Sequence, residues 1–392
     1  MVEPIRNRYV STIIAHASVF IIALVINLVH WLVPSIRNGS LVYFTPPDTS
    51  KYLSICQTGP EHLGTLIYKI GFLVPFCLTE ILPGHVGPAW VAVQILLVSL
   101  ASVLVFDTAR RVFDLRTALV AGLSFALLYD TFRWTRTVLS DILFVFILTL
   151  ALWALVRFQQ NPTRRTRLAV YGACLWLAVT RPFGAPIVAG WLLYDMVSFG
   201  RYERFDLVPS RRLSVGLFLL LGAVVLLSVE NWFPLVRGLY AQGAVFSPPQ
   251  NAPYPIQHEY AVVESSSSLM FILRNFEHIV IITFLRVGAF FIPVIEGAFQ
   301  SEWKVWNTMW LTVLLVGSVV GCLRLYRQRI VLFQMWVTPL VMIVAVCAVT
   351  FVDASFRYRA PAGPVFALLF SYSVSGEQLA AVANRLPGVE TD

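Results

Sequence analysis

The chain has 392 residues, of which 58% are hydrophobic and only 13% are charged. Soluble domains carry about 25% charged residues, so this composition excludes an ordinary water-soluble globule. The mean hydropathy is +0.74, and apolar runs of about 20 residues recur, each long enough to cross about 30 Å of hydrocarbon. We therefore predict an all-α polytopic membrane protein with no soluble domain.

The formal net charge of +8 comes from 29 basic and 21 acidic residues. In a soluble protein this excess would suggest nucleic acid, but the short cytoplasmic loops of membrane proteins collect arginine and lysine whatever their function. We therefore use the basic residues as topology signals and predict no nucleic-acid partner. The 26 arginines against three lysines are typical of a GC-rich bacterial genome, which favours the bacterial inner membrane.

Two arginines precede the first apolar run, residues 10–33, which is too long for a signal-peptide core. Placing these arginines in the cytoplasm sends the run outward and puts residues 34–87 on the exterior face. Within that segment, residues 63–82 are apolar but contain Lys69 and Glu80. We predict an interfacial helix there rather than a span.

The remaining apolar runs complete a scheme of ten spans with both termini in the cytoplasm. Residues 168–199 are divided by Arg181, and the first of the two arms rises only about 20 Å, so Arg181 is expected at a hairpin tip inside a cavity. A second exterior segment, residues 230–304, contains a predicted interfacial helix at 269–294. The predicted spans are 10–33, 88–108, 117–132, 138–156, the two arms of 168–199, 213–229, 305–323, 330–351 and 360–375.

The five cysteines show neither a C-x-x-C spacing nor a metal-ligand cluster. They are explained as small apolar residues, although Cys56 and Cys77 both fall in the first exterior segment and are able to pair in an oxidising compartment. The sequence has no glycine-rich phosphate loop, so no nucleotide cofactor is predicted.

Charged groups at the exterior ends of spans are costly unless they are paired or solvated in a cavity, which makes them functional candidates. Arginine binds phosphate bidentately and keeps its charge, while a carboxylate accepts the proton of an attacking hydroxyl. We therefore predict a site that binds a phosphorylated substrate and deprotonates an acceptor. The candidates are Asp48, Lys51, Tyr52, Asp130, Arg133, Arg136, Asp141, Arg181, Asp353, Arg357 and Arg359.

The order of these motifs resembles the GT-C glycosyltransferases, especially the branch that contains the protein O-mannosyltransferases and the lipid A aminoarabinose transferases. An exterior-loop aspartate, Asp48, is followed four residues later by Tyr52 and then by the interfacial helix. Four short motifs follow in order. They are A-R-R-V-F at 109–113, R-T-V-L-S-D at 136–141, T-R-P at 180–182 and R-Y-R-A-P at 357–361.

The resemblance implies inverting transfer of one sugar from a polyprenyl-phosphate donor to an acceptor hydroxyl at the exterior membrane face. It implies Asp48 as the general base, Asp141 as a second catalytic carboxylate, and no nucleotide. Thr49 stands where many relatives have another acidic residue, so the sequence does not support a divalent metal but leaves metal dependence open. The acceptor, whether lipid, glycan or protein, is also left open. The donor phosphate is assigned to Arg133, Arg136, Arg181, Arg357, Arg359 and Lys51, and further substrate contacts to Tyr52, His62 and Tyr358.

Structural explanations compete with some of these roles. The run P-P-D-T-S around Asp48 has the chemistry of a helix start, Tyr52 is equally an interfacial aromatic residue, and Asp130 is a candidate structural partner of an arginine. Arg357 and Arg359 project to opposite sides of an extended chain, so only one of them is expected to reach the substrate. The alternative functions are a transporter or flippase for a charged lipid, which predicts functional charges on both faces, and a polysaccharide polymerase or ligase.

Overall fold

The computed structural model describes residues 3–58, 69–79, 86–181, 183–197, 268–292, 301–350 and 357–375, with a few positions between 212 and 263. These residues form helices and no strand, apart from an isolated bridge between Phe44 and Thr137. The predicted all-α fold class is confirmed. The helices are α1 Glu3–Asn38, α2 Pro47–Thr58, α3 Ile70–Thr79, α4 Val86–Arg110, α5 Leu115–Ala126, α6 Tyr129–Phe132, α7 Asp141–Gln160, α8 Arg164–Ala178, α9 Gly184–Val197, α10 Ser268–Arg274, α11 Phe276–Phe290, α12 Ser301–Gln328, α13 Ile330–Val349 and α14 Gly363–Ser373, with 3₁₀ turns at Arg133–Arg136 and Ala360–Ala362.

Five of the described helices are long and apolar enough to cross a membrane, and a sixth span results if α5 and the bent segment after it count as one. The predicted ten spans are therefore not confirmed. Helices α8, α9 and α14 are shorter than a full span, and most of the predicted span at 213–229 lies outside the described residues. The candidate spans are Val10–Asn38, Gly87–Arg110, Asp141–Gln160, Val305–Gln328 and Ile330–Val349, with the bent pair Leu115–Ala126 and Tyr129–Arg136.

Helix α7 lies at the centre of the packed helices. The most apolar part of α7 is 78% buried, whereas the corresponding parts of α1 and α12 are 22% and 28% buried. Helix α7 packs against α4 and α8, and α4 also packs against α1 and α5. A helix that is apolar all round needs neighbours on every side, whereas the exposed apolar faces of α1 and α12 suit contact with lipid.

Small residues let α12 and α14 approach one another closely. Gly317 and Gly321 form a G-x-x-x-G pattern in α12, and a Cβ atom at Gly321 would lie 1.9 Å from the carbonyl oxygen of Leu369 in α14. Ser318 adds a hydrogen bond of 2.9 Å to the Phe366 carbonyl. Such contacts are typical of helix pairs in membranes, where close backbone packing replaces the hydrophobic effect.

Polar contacts gather at the two ends of the bundle. Near the end of α4, Asp107 accepts hydrogen bonds from Arg111 and Trp153 at 2.8 and 2.6 Å. Near the beginning of α4, Gln94 donates to the carbonyls on either side of Arg136, at Thr135 and Thr137. The second end also contains the first turn of α7 with Asp141, and we call it the Asp141 end.

Two predicted surface elements are more deeply packed than expected. The segment between the predicted spans 117–132 and 138–156 forms a 3₁₀ turn in which Trp134, Thr135 and Arg136 are buried, and Gln94 holds it by donating to the Thr135 and Thr137 carbonyls. The predicted interfacial helix at 269–294 consists of α10 and α11. Its Arg286 is fully buried and donates to the carbonyls at the end of α13, so this charge does not face water.

Candidate functional site

A buried carboxylate at the start of α7 is the centre of the candidate site. Asp141 has no exposed surface and lies in the first turn of the helix, where the helix dipole favours a negative charge. Arg357 Nε donates to both carboxylate oxygens of Asp141, at 2.9 and 3.1 Å. Arg181 Nη1 also donates to Asp141 Oδ1. Two guanidinium groups therefore hold one carboxylate in place.

Arg181 reaches Asp141 because the chain between α8 and α9 forms a tight hairpin. Helix α8 ends at Ala178 and α9 begins at Gly184, as expected for two short arms with Arg181 between them. A Cβ atom at Gly184 would lie 1.8 Å from the Leu177 carbonyl oxygen, so a side chain there would push the two arms apart. The Arg181 side chain is 5% exposed, and the predicted break at this residue is confirmed.

Asp48 is brought to the same place by the loop after α1. Phe44 N donates to the Arg136 carbonyl at 2.8 Å, and Val138 N donates to the Phe44 carbonyl at 2.9 Å. Thr49 Oγ1 then donates to the Val138 carbonyl at 2.7 Å, which fixes the first turn of α2. These bonds attach the segment that carries Asp48 to the residues just before α7.

Arg357 links the two carboxylates. Its Nη1 lies 3.8 Å from Asp48 Oδ2, while its Nε binds Asp141. The Asp48 side chain is 42% exposed and the Asp141 side chain is fully buried. Asp141 is thus saturated by guanidinium donors, whereas Asp48 has oxygen surface available to an incoming molecule.

Lys69 is a member of the site that sequence reasoning missed. Lys69 Nζ donates to Tyr52 Oη at 2.5 Å, and Gly71 N donates to the Val179 carbonyl at 2.9 Å, which ties the start of α3 to the Arg181 hairpin. Burial lowers the pKa of Lys69 to about 8, although Asp48 acts in the opposite direction. The sequence does contain a signal for Lys69, because a single ammonium group in an apolar stretch is costly without partners.

Aromatic side chains enclose the charged groups. Tyr52 is 1% exposed and packs edge-on against Phe72, with the ring centroids 5.0 Å apart, and burial raises the pKa of its hydroxyl. The Arg181 guanidinium lies 5.5 Å from the ring centroid of Tyr358 and 5.6 Å from that of Phe183. Tyr52 and Tyr358, both predicted as substrate contacts, therefore line the cluster.

A disulfide joins the two short helices at this end. Cys56 in α2 is bonded to Cys77 in α3, the pairing that the sequence left open. Because α2 carries Asp48 and Tyr52 and α3 follows Lys69, the bond fastens together the two segments that supply these side chains. We call Asp48, Tyr52, Lys69, Asp141, Arg181 and Arg357 the Asp141 cluster.

Asp130 and Arg359 form a second ion pair. Arg359 Nε donates to Asp130 Oδ2 at 2.5 Å, and both side chains are 1% exposed. Asn307 donates to the same carboxylate at 3.1 Å, so Asp130 is a structural partner of Arg359, as anticipated. Arg359 Nη1 donates to the Phe290 carbonyl at 3.3 Å. Lys51 is exposed on α2, whereas His62 and Asp353 lie outside the described residues. Arg133 and Arg136 form a separate group.

The donors at the Asp141 cluster do not fit a divalent metal. Both oxygens of Asp141 are occupied by guanidinium groups, and the Thr49 hydroxyl donates to a backbone carbonyl. A hard cation needs several free oxygen ligands, and among the described residues of this cluster only Asp48 has a carboxylate that is not already bound by two guanidinium groups.

The helical fold and the charged cluster at one end of it define a polytopic membrane protein with a polar site at the ends of its helices. Residues 76–228 match the family described as dolichyl-phosphate-mannose-protein mannosyltransferase. The matched range is less than half of the chain but contains α4 to α9, including Asp141 and Arg181. The match confirms the predicted resemblance to GT-C glycosyltransferases and supports a membrane glycosyltransferase. No curated protein matches the chain.

Proposed function

We propose that the protein transfers one sugar, with inversion, from a polyprenyl-phosphate donor to an acceptor hydroxyl at the Asp141 end. The observation that carries the proposal is the double contact of Arg357, which binds buried Asp141 and also reaches exposed Asp48. Arg357 thereby places a cation that is able to bind phosphate next to Asp48, a carboxylate that is free to act as a base. The family description, which names a dolichyl-phosphate sugar, supports a lipid-phosphate donor.

In the proposed reaction, Asp48 accepts the proton of the acceptor hydroxyl as that oxygen attacks the anomeric carbon. The new carbon–oxygen bond forms on one side of the sugar while the bond to the phosphate oxygen breaks on the other. The electron pair of the broken bond leaves with the polyprenyl phosphate. Arg181, Arg357 and Lys69 stabilise the phosphate as its charge increases, which is the kind of electrostatic effect that usually dominates catalysis.

Asp141 is proposed as a positioning residue rather than as the base. Its oxygens already accept hydrogen bonds from two guanidinium groups, and a carboxylate so engaged is a poor proton acceptor. Its role is to hold Arg181 and Arg357 against the donor phosphate.

The Asp141 end is proposed to face the exterior of a bacterial inner membrane, with both termini in the cytoplasm. The Cys56–Cys77 disulfide lies at this end, and disulfides persist in oxidising compartments. The opposite end carries Arg110, Arg111 and Arg157, as expected for a cytoplasmic face. Labelling of single cysteines introduced at Lys51 and Arg157, with a membrane-impermeant reagent on intact cells, tests this: only position 51 should react.

The test of function is transfer of label from a polyprenyl-phosphate [¹⁴C]mannose by the purified chain, with envelope extract as the source of acceptor. Wild type should release polyprenyl phosphate and form labelled product, and Asp48→Asn should not. Lys51→Gln, an exposed change on the same helix, is the matched control and should retain most of the activity. Turnover by Asp48→Asn would remove it from the role of base, and no turnover by wild type with any lipid-phosphate sugar would refute the proposed function.

A further inference from the structure

A buried arginine without a counter-charge lies in the 3₁₀ turn just before α7. Four arginine side chains in the described ranges are at least nine-tenths buried. Three of them have acceptors: Arg181 binds Asp141, Arg359 binds Asp130, and Arg286 binds backbone carbonyls. The fourth, Arg136, has none among the residues that the structure describes, and its buried Nε lacks a hydrogen-bond partner.

The surroundings of Arg136 are cationic and aromatic. Its guanidinium lies 5.6 Å from the ring centroid of Phe44, and its charged neighbour is a second arginine, Arg133. Arg133 packs over the ring of Trp134 at 4.9 Å, and the buried Trp134 Nε1 also lacks a partner in the described part of the chain. The two nearest acids in sequence, Asp141 and Asp130, are already engaged by other arginines.

A buried cation with no partner is costly, and unfilled donors next to it require an acceptor. The group that satisfies both needs is an anion with several oxygens, such as phosphate or carboxylate, because the guanidinium fork binds these bidentately. The Arg136 group, comprising Arg133, Trp134 and Arg136, therefore has the chemistry of an anion site.

This group is joined directly to the segment that carries the proposed base. The Arg136 carbonyl accepts from Phe44 N, and the Val138 carbonyl accepts from the Thr49 hydroxyl, next to Asp48. The donor phosphate already has Arg181, Arg357 and Lys69 in the Asp141 cluster. A second anion bound at the turn that holds the Asp48 segment is therefore assigned to the molecule whose hydroxyl Asp48 deprotonates.

We propose that Arg136, together with Arg133, binds a phosphate or carboxylate group of the acceptor. The assignment of this anion to the acceptor rests on the proposed function, whereas the anion site itself does not. It assigns the acceptor to the anionic class, either a lipid with an anionic headgroup or a water-soluble phosphorylated or carboxylated compound.

The first experiment measures anion binding without catalysis, through the thermal unfolding of the full chain in neutral detergent at constant ionic strength. Inorganic phosphate should raise the unfolding temperature of wild type saturably, and Arg136→Gln should weaken the apparent affinity about tenfold or more, as expected for the loss of a charge-assisted hydrogen bond. Arg157→Gln, which changes an exposed arginine at the opposite end, should respond like wild type. Without anion, Arg136→Gln should be as stable as wild type or more so, because it removes an uncompensated buried charge.

Two further arms identify the source of the anion. Inorganic phosphate reports on the site itself, so the source is decided by the lipids. If nanodiscs of phosphatidylglycerol, but not of phosphatidylcholine, give the Arg136-dependent stabilisation, the anion is a lipid headgroup. If neither lipid gives it, a soluble acceptor is favoured, and either result supports the site. Farnesyl phosphate, a probe for the donor carrier, should stabilise Arg136→Gln as well as wild type, and loss of that response would overturn the assignment to the acceptor.

The site is refuted if no anion gives an Arg136-dependent response, or if Arg136→Gln is destabilised equally with and without anion, since that is the behaviour of a purely structural arginine. Because these measurements need no turnover, their failure is separate from a failure of the transfer assay.

Discussion

Replacement by asparagine should affect mainly the transfer rate at Asp48 and mainly the stability at Asp141, the two carboxylates near Arg357. Asp48 is 42% exposed and lies 3.8 Å from Arg357, and exposed pairs contribute at most about 1 kcal/mol to stability. Asp48→Asn should therefore change the free energy of unfolding by less than about 1 kcal/mol. As the proposed base, its loss should lower the transfer rate by about 10²–10⁴-fold.

Asp141 is fully buried and accepts from Arg181 and Arg357, so its neutralisation leaves two largely buried guanidinium groups without their counter-ion. Breaking a buried pair from one side typically costs about 3–5 kcal/mol. Asp141→Asn should therefore lower stability by about that amount, and it should weaken donor binding because the two arginines proposed to bind the phosphate lose their anchor.

The assay combines denaturant unfolding in detergent with initial rates of sugar transfer at varied donor concentration. Asp48→Asn should lose the rate at unchanged stability, and Asp141→Asn should lose stability and raise the apparent KM for the donor. Equal loss of stability in the two variants would show that the difference in burial does not decide their roles. An active Asp48→Asn variant would refute the assignment of the base.

Three more outcomes follow from the geometry. Burial lowers the pKa of the Lys69 ammonium to about 8, so its charge is present below that pH and lost above it. The kcat/KM for the donor should therefore fall as pH rises through about 8, and Lys69→Arg should abolish that fall. An unchanged pH profile in Lys69→Arg would contradict a role of Lys69 in phosphate binding. Cys56→Ser or reduction of the Cys56–Cys77 bond, which closes a loop of 21 residues, should cost about 3 kcal/mol and lower activity, with Cys77→Ser giving no further loss in the double variant. Asp130→Asn should cost about 3–5 kcal/mol without changing KM for the donor, and a changed KM would return Arg359 to the donor site.

Much of the site was predictable because its charges are conspicuous in an apolar chain. Asp48, Asp141, Arg181 and Arg357 are each ionisable groups at the ends of hydrophobic runs, where they are costly without partners. The positive-inside rule then placed these ends on one side. The structure brings these four residues together, and the break of the hairpin at Arg181 follows from the shortness of its arms.

The helix boundaries were less predictable. Helix α1 continues through Pro34 to Asn38, beyond the predicted end at residue 33, and α7 begins at Asp141 rather than at Val138. Hydropathy registers where side chains are apolar, but the backbone hydrogen bonds of Phe44 and Val138 decide where the helix begins. Lys69 was not predicted as a site residue, because its place in the site depends on a tertiary contact with Tyr52.

The sequence by itself determined that this chain is a helical membrane protein and which residues carry costly charges, since both depend on local composition and on the price of exposing polar groups to hydrocarbon. The tertiary structure decided how those charges are distributed. Arg357 pairs with Asp141, Arg359 pairs with Asp130, and Arg136 has no acidic partner in the described residues. Partner choice is set by the relative position of helices far apart in the chain, which a residue pattern along one segment does not contain.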